Sequence, residues 1–125
     1  MTEDVHGEPT ATSPDQTASL ATLIDTVRRF VARRQWGKFD RPKNLAMAIC
    51  GEAGELAAEL QWLTDEESED ARAEGPLRDA VLDEMADVLI YLIRLADALD
   101  ADLVQAGISK MERNEKRFAL PDAET

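Results

Sequence analysis

The chain has 125 residues and a mass of 13.8 kDa, which allows one domain and leaves no room for a second. Its formal charge is −12, from 26 acidic against 14 basic side chains, which argues against a nucleic-acid partner and opposes any phosphate ligand not met by bridging cations or a local cluster of bases such as those in 28–34 or 110–117. Apolar residues make up 44% and aromatics only 5%, a balance that favours helices over sheet, and no apolar run approaches a membrane span.

Residues 1–16 are polar and proline-containing and read as a disordered tail that also holds His6, the single histidine. No charged-then-apolar leader opens the chain, and a lone cysteine, Cys50, forms no internal disulfide. Together these point to the cytoplasm. Cys50 falls in an apolar helical stretch and reads as packing. The foldable part is expected over 17–118, with 119–125 a short C-terminal tail.

The first predicted helix runs from about Ala18 to Trp36, with Leu20, Ile24, Val27, Phe30 and Val31 at helical spacing. Gly37 and Pro42 then break it. The second is predicted over Asn44–Leu63, with Leu45, Ile49, Ala53, Leu56 and Leu60 in one stripe. Glu52, Glu55 and Glu59 gather to one side of that stripe. Gly51 and Gly54 inside the helix each cost up to about 1 kcal/mol relative to alanine. Such spacing predicts that another helix or a ligand approaches the backbone there.

Residues 64–75 (TDEESEDARAEG) carry no apolar periodicity and read as a solvated acidic connection. Pro76 suits the first turn of the third predicted helix, which extends to about Leu99. Its centre, VLIYLIRLA, is apolar nearly all round and is expected between several helices or at a subunit interface. Asp79, Asp83, Arg94 and Asp97 mark the side expected to be polar. Asp102 is the expected N-cap of a last helix ending at Arg117. Four helices with short connections predict an all-α, four-helix bundle-like protomer.

Within this frame one pattern stands apart. Glu52 with Glu55 and Glu84 with Asp87 have i, i+3 spacing, so each pair projects from one helix face. Glu84 falls in the apolar sector with Leu77, Val88, Tyr91 and Leu95, where packing alone would place leucine. A buried carboxylate needs a positive partner. For one such residue, an arginine from a neighbouring helix would suffice; four acids in matching pairs also fit a shared metal site.

The helical part has no histidine, which removes a Glu-x-x-His di-iron site. Zinc lacks its nitrogen and sulfur ligands, and an EF-hand lacks its loop spacing. All-carboxylate ligation suits Mg²⁺ or Mn²⁺, ions that serve phosphate chemistry. None of the four serines, Ser13, Ser19, Ser68 and Ser109, lies in a nucleophile-elbow context, and no glycine-rich phosphate loop is present. Trp36 and Trp62 flank the second helix and offer either core packing or stacking surfaces.

Glu-x-x-Glu, a gap of 28 residues and Glu-x-x-Asp resemble the signature of the all-α nucleoside triphosphate pyrophosphohydrolases, the MazG-like group. The runs RQWGKFDRPKNLAMAICGEAGELAAELQW, DEMADVLIYLIRLAD and KMERNEKRF resemble the dCTP pyrophosphatase branch, over about residues 20–118. The resemblance implies hydrolysis of a nucleoside triphosphate, of dCTP or a related deoxynucleotide, to a monophosphate and pyrophosphate. It implies Mg²⁺ on Glu52, Glu55, Glu84 and Asp87, with Glu52 or Glu55 helping to activate water. It also implies a nucleotide pocket at Trp36, Asn44, Trp62, Tyr91 and Asn114, with Lys110 and Arg117 toward the phosphates, and assembly into a dimer or tetramer. The chain departs from close relatives at Val27 and Asp40, where some carry histidine, and at Phe118, where tyrosine is usual. Departures there bear on base selectivity. A different class of function, a non-catalytic helical oligomerisation or regulatory module, would leave the four acids merely solvated or ion-paired.

Overall fold

A computed structural model describes residues 18–122. The tail expected over 1–16, and His6 with it, lies outside the described residues. Helix α1 spans Leu20–Arg33, opened by Ser19, whose hydroxyl accepts from the backbone N–H of Thr22 at 3.1 Å. It stops before Trp36, earlier than expected, because Gln35 adopts a left-handed conformation (φ 54°) that ends the ladder. Trp36 therefore sits on a separate 3₁₀ turn, Trp36–Phe39.

Helix α2 spans Pro42–Leu60, starting ahead of the expected Asn44. Pro42 stands at its first position, where a missing N–H costs nothing and a fixed φ suits the helix. The residue that signals a break also begins the next helix. The connection expected to be irregular contains two ordered pieces, a short helix α3 (Asp65–Ser68) and a 3₁₀ turn (Glu69–Arg72). A reciprocal cap orders the first: the Thr64 hydroxyl accepts from the N–H of Glu67, and the Glu67 carboxylate accepts from the N–H of Thr64.

Helix α4 spans Pro76–Ala98. It ends where Asp100 takes φ 50° and the N–H of Ala101 reaches back to the carbonyl of Ala96 at 2.8 Å, satisfying a terminal acceptor. Helix α5 spans Leu103–Arg117. Asp102 caps it as expected, accepting from the N–H of Gln105 at 2.9 Å, and Lys116 and Arg117 in its last turn suit the helix dipole.

No strand occurs among the described residues, and the fold is all-α. No helix among them is long and apolar enough to cross a membrane. Helix α4 is central: α2 makes the most extensive contact with it, the Glu69–Arg72 turn and α1 touch it less, and α5 more sparingly still. Val27 from α1, Leu45 from α2, and Ile93 and Ala96 from α4 are the buried apolar residues among those described.

This core is small for the domain. Most of VLIYLIRLA, expected to be enclosed, is only half-buried in the protomer; of that run only Ile93 and Ala96 are buried. Helices α4 and α5 expose Leu82, Met85, Val104, Ile108 and Met111. Leu20, Leu103, Val104, Ile108 and Met111 line an open apolar groove. Cys50 is exposed and free rather than packed. Among the described residues, apart from α2's own adjacent backbone, nothing comes within 4 Å of a Cβ built on Gly51 or Gly54, so the close neighbour expected there is not one of the described elements.

Candidate active site

The packing of α2 on α4 brings the Glu52/Glu55 pair to Glu84. One carboxylate oxygen from each of Glu52, Glu55 and Glu84 lies within 4.8 Å of the others. Glu52 and Glu84 are half-buried and Glu55 is exposed. Asp87, one turn beyond Glu84 on α4, is exposed and stands outside this three-oxygen cluster.

Each of Glu52 and Glu84 has one buried oxygen, Oε2, with no hydrogen-bond partner among the described residues. No lysine or arginine pairs with any of the four acids: the ion pairs among the described residues are Arg28–Asp97, Arg29–Asp25, Arg72–Glu69 and Arg94–Asp40. Three adjacent carboxylates with two orphaned buried oxygens are an unfavourable arrangement without a cation. The charge state reflects this. Burial, then contact with Glu52 and the charge of Glu55, push Glu84 up to about 7 from the ordinary glutamate value of 4.5. Burial and the neighbouring Glu55 raise Glu52 as well. Hard oxygen donors that are deprotonated on binding fit Mg²⁺ or Mn²⁺.

The aromatic side of the site lies further along α4. Glu84, Asp87, Tyr91 and Arg94 share roughly a quarter of the helix circumference at about 100° per residue. Trp36 is 38% exposed. Its position is set by an edge-to-face contact with Phe30, with ring centroids 5.4 Å apart. The Arg94 guanidinium lies 5.7 Å from the Trp36 ring and 5.1 Å from the Tyr91 ring.

Arg94 corrects the expected polar side of α4. Its Nε donates to Asp40 Oδ2 at 3.0 Å and its Nη2 to Asp40 Oδ1 at 2.5 Å. The two side chains are only 14% and 10% exposed. The signal was present: an arginine inside VLIYLIRLA is as anomalous as a glutamate there. Asp97, also placed on that side, is fixed by Arg28. At the other departures from the family pattern, Val27 is buried in the core and Phe118 is exposed beside Arg117.

The remaining expected pocket residues are dispersed. Trp62 is 87% exposed and touches no other ring among the described residues. Asn44 is exposed in the first turn of α2. Lys110, Asn114 and Arg117 all lie on α5; Asn114 is half-buried and its amide reaches Met111 Sδ at 3.8 Å. Within one protomer, then, the carboxylates, Trp36 and Tyr91 are positioned by α4 and its neighbours, whereas Trp62 and the α5 residues are not gathered around them.

No protein-family model matches the chain. It is 42% identical over 114 residues to dCTP pyrophosphatase 1 of Bos taurus, an alignment covering 89% of this chain and 68% of that protein. The human dCTP pyrophosphatase 1 is 40% identical over 119 residues, covering 92% of this chain and 70% of its own length. Among solved structures, a pyrophosphatase from Archaeoglobus fulgidus superposes with a TM-score of 0.70 at 39% identity, over 80% of this chain and 92% of that one. Identity at this level across nearly the whole helical region, with the same fold, places the chain: it belongs to the dCTP pyrophosphatase family of all-α pyrophosphohydrolases.

Proposed function

We propose that the chain is a Mg²⁺-dependent nucleoside triphosphate pyrophosphohydrolase that acts on dCTP or a closely related deoxynucleotide and serves to clear it from the nucleotide pool. The observation carrying this reading is the cluster of Glu52, Glu55 and Glu84 oxygens within 4.8 Å, two of whose carboxylates have an unpartnered buried oxygen. Membership of the family points the chemistry to a nucleotide. A free cysteine at Cys50 suits a reducing, cytoplasmic setting.

Glu52, Glu55, Glu84 and Asp87 are the residues that would hold the metal, with Asp87 joining the other three from the next turn of α4. When bound, Mg²⁺ (or Mn²⁺) supplies charge neutralisation of the triphosphate and a more acidic water. Glu55, the exposed member of the cluster, takes the proton of the attacking water, with Glu52 beside it as the second candidate base. The water oxygen forms a bond to the α-phosphorus. The bond from that phosphorus to the bridging oxygen breaks, and its electron pair leaves with pyrophosphate. Trp36 stacks on the base, a contact worth about 1–3 kcal/mol, and Tyr91 closes the pocket. Asn44 and Asn114 offer amide hydrogen bonds, and Lys110 and Arg117 offset phosphate charge.

The test is a panel of nucleoside triphosphates with Mg²⁺, followed by pyrophosphate release. Release from dCTP above the other bases is expected; background release from every nucleotide at ample metal would leave the non-catalytic module as the better reading.

Assembly into a homodimer or homotetramer belongs to the same proposal. The exposed Ile108, Met111 and Val104 on α5, the half-buried centre of α4 and the uncovered Gly51 and Gly54 are surfaces a second copy would cover. It would also bring Trp62 and the α5 side chains into an enclosed environment. Ile108→Glu is expected to shift the protein to smaller species in sedimentation and to lower its melting temperature. An unchanged sedimentation profile would show that the α5 groove is not part of the interface.

A further inference from the structure

The Asp40–Arg94 pair is the least solvent-exposed ion pair among the described residues. Asp40 lies just after the 3₁₀ turn and Arg94 is on α4, so the pair ties the loop bearing Trp36 to the helix bearing the acids. Asp40 accepts from Nε and Nη2 of the guanidinium. Nη1 makes no hydrogen bond among the described residues. The plane lies within 6 Å of both the Trp36 and Tyr91 rings. Asp40 and Arg94 also line a cavity of about 580 Å³ with Arg28, Val31, Gln35 and Asp97, next to the two rings but not lined by them, so the pair borders open space rather than sealed core.

Arg94 follows Asp87 by seven residues, close to two turns of the same face and a rise of about 10 Å. That separation suits a nucleotide whose α-phosphate is held at the carboxylates and whose base lies at Trp36. A guanidinium only donates hydrogen bonds and stays charged. The edge of a base that meets it must therefore present acceptors. Cytosine offers O2 and N3 side by side. Thymine and uracil present the N3–H donor at that position, and it would oppose the arginine's own N–H groups.

We propose that Asp40 and Arg94 form the base-selecting element of this chain: Asp40 orients the guanidinium between Trp36 and Tyr91, and its remaining N–H groups donate to the O2/N3 edge of a cytosine. Arg94 is the specificity-determining contact and Asp40 a positioning residue. The inference rests on the reading of Trp36 and Tyr91 as the base pocket of a nucleotide pyrophosphohydrolase.

The experiment measures kcat and KM for dCTP and dTTP with wild type, Arg94→Lys and the double variant Asp40→Asn/Arg94→Gln. The double variant removes both charges together, so neither is left buried alone. Arg94→Lys keeps the charge and loses the planar fork. Both are expected to lower the dCTP-to-dTTP ratio of kcat/KM by about tenfold or more, with a larger KM for dCTP. Melting curves identify a variant that unfolds, and the ratio is then read from the other. An unchanged ratio in a folded variant of an active enzyme would overturn the selecting role and leave a structural ion pair. A wild type inactive on every nucleotide would instead bring down the enzymatic reading on which the inference stands.

Discussion

Glu55→Gln is expected to lower pyrophosphate release by about 10²–10⁴-fold, the usual worth of a positioned general base, with helical content unchanged. The substitution keeps the size of the side chain and removes the one cluster carboxylate that is exposed enough to meet solvent water. Because Glu55 contributes to the repulsion that raises Glu52 and Glu84, the metal-free variant is expected to melt at a higher temperature than wild type. Loss of activity alongside a gain in apo stability would separate a functional acid from a structural one, since removing a structural ion-pair partner does the reverse. Asp87→Asn should behave differently. Asp87 stands outside the cluster in the protomer, so its loss is expected mainly to raise the Mg²⁺ concentration needed for turnover. Wild-type rates in both variants at limiting metal would remove the four-carboxylate site.

The second large effect is on stability, with pH and metal as the two controls. Glu84 is held at about 7 when folded against an ordinary 4.5, so the folded state binds its proton more tightly than the unfolded chain. The stability this contributes is complete below about 4.5, falls as pH rises from there, and is gone once pH passes 7. Metal-free wild type is therefore expected to melt at a lower temperature at pH 8 than at pH 5, and Glu84→Gln should show a smaller decline over that window. At pH 8 the ionised cluster is free to take a divalent cation. Mg²⁺ at about a hundred times its dissociation constant would add about 2.7 kcal/mol, a shift of several degrees for a domain of this size. Calorimetry with and without chelator, at both pH values, measures all four states. Matching pH profiles for wild type and Glu84→Gln would show that Glu84 does not titrate in this range, and no Mg²⁺ shift in wild type would count against a cation at the cluster.

How much of this was legible in the residues can be judged from particular elements. Asp102 as a cap, Pro76 at a helix start and the long apolar α4 are local signals, and the structure follows them. Boundaries that depend on backbone conformation were less legible. Nothing in the type of residue at Gln35 announces a left-handed φ, yet that angle takes Trp36 off α1 and onto its own turn. The order in 65–72 was hidden because the cap formed by Thr64 and Glu67 sits in a stretch without apolar periodicity, which masks helical signals.

Sequence alone determined the helical class, the two acidic pairs and the oxygen-only character of the candidate site, because periodicity and side-chain chemistry are carried by neighbours along the chain. Tertiary structure alone decided that three of the four acids converge while Asp87 stands apart, and that Arg94 leaves the solvent to lie on Asp40, Trp36 and Tyr91. Those outcomes depend on how α2 and the Trp36 turn dock against α4. Docking is set by packing between residues distant in sequence, such as Asp40 and Arg94, whose pairing no local pattern encodes.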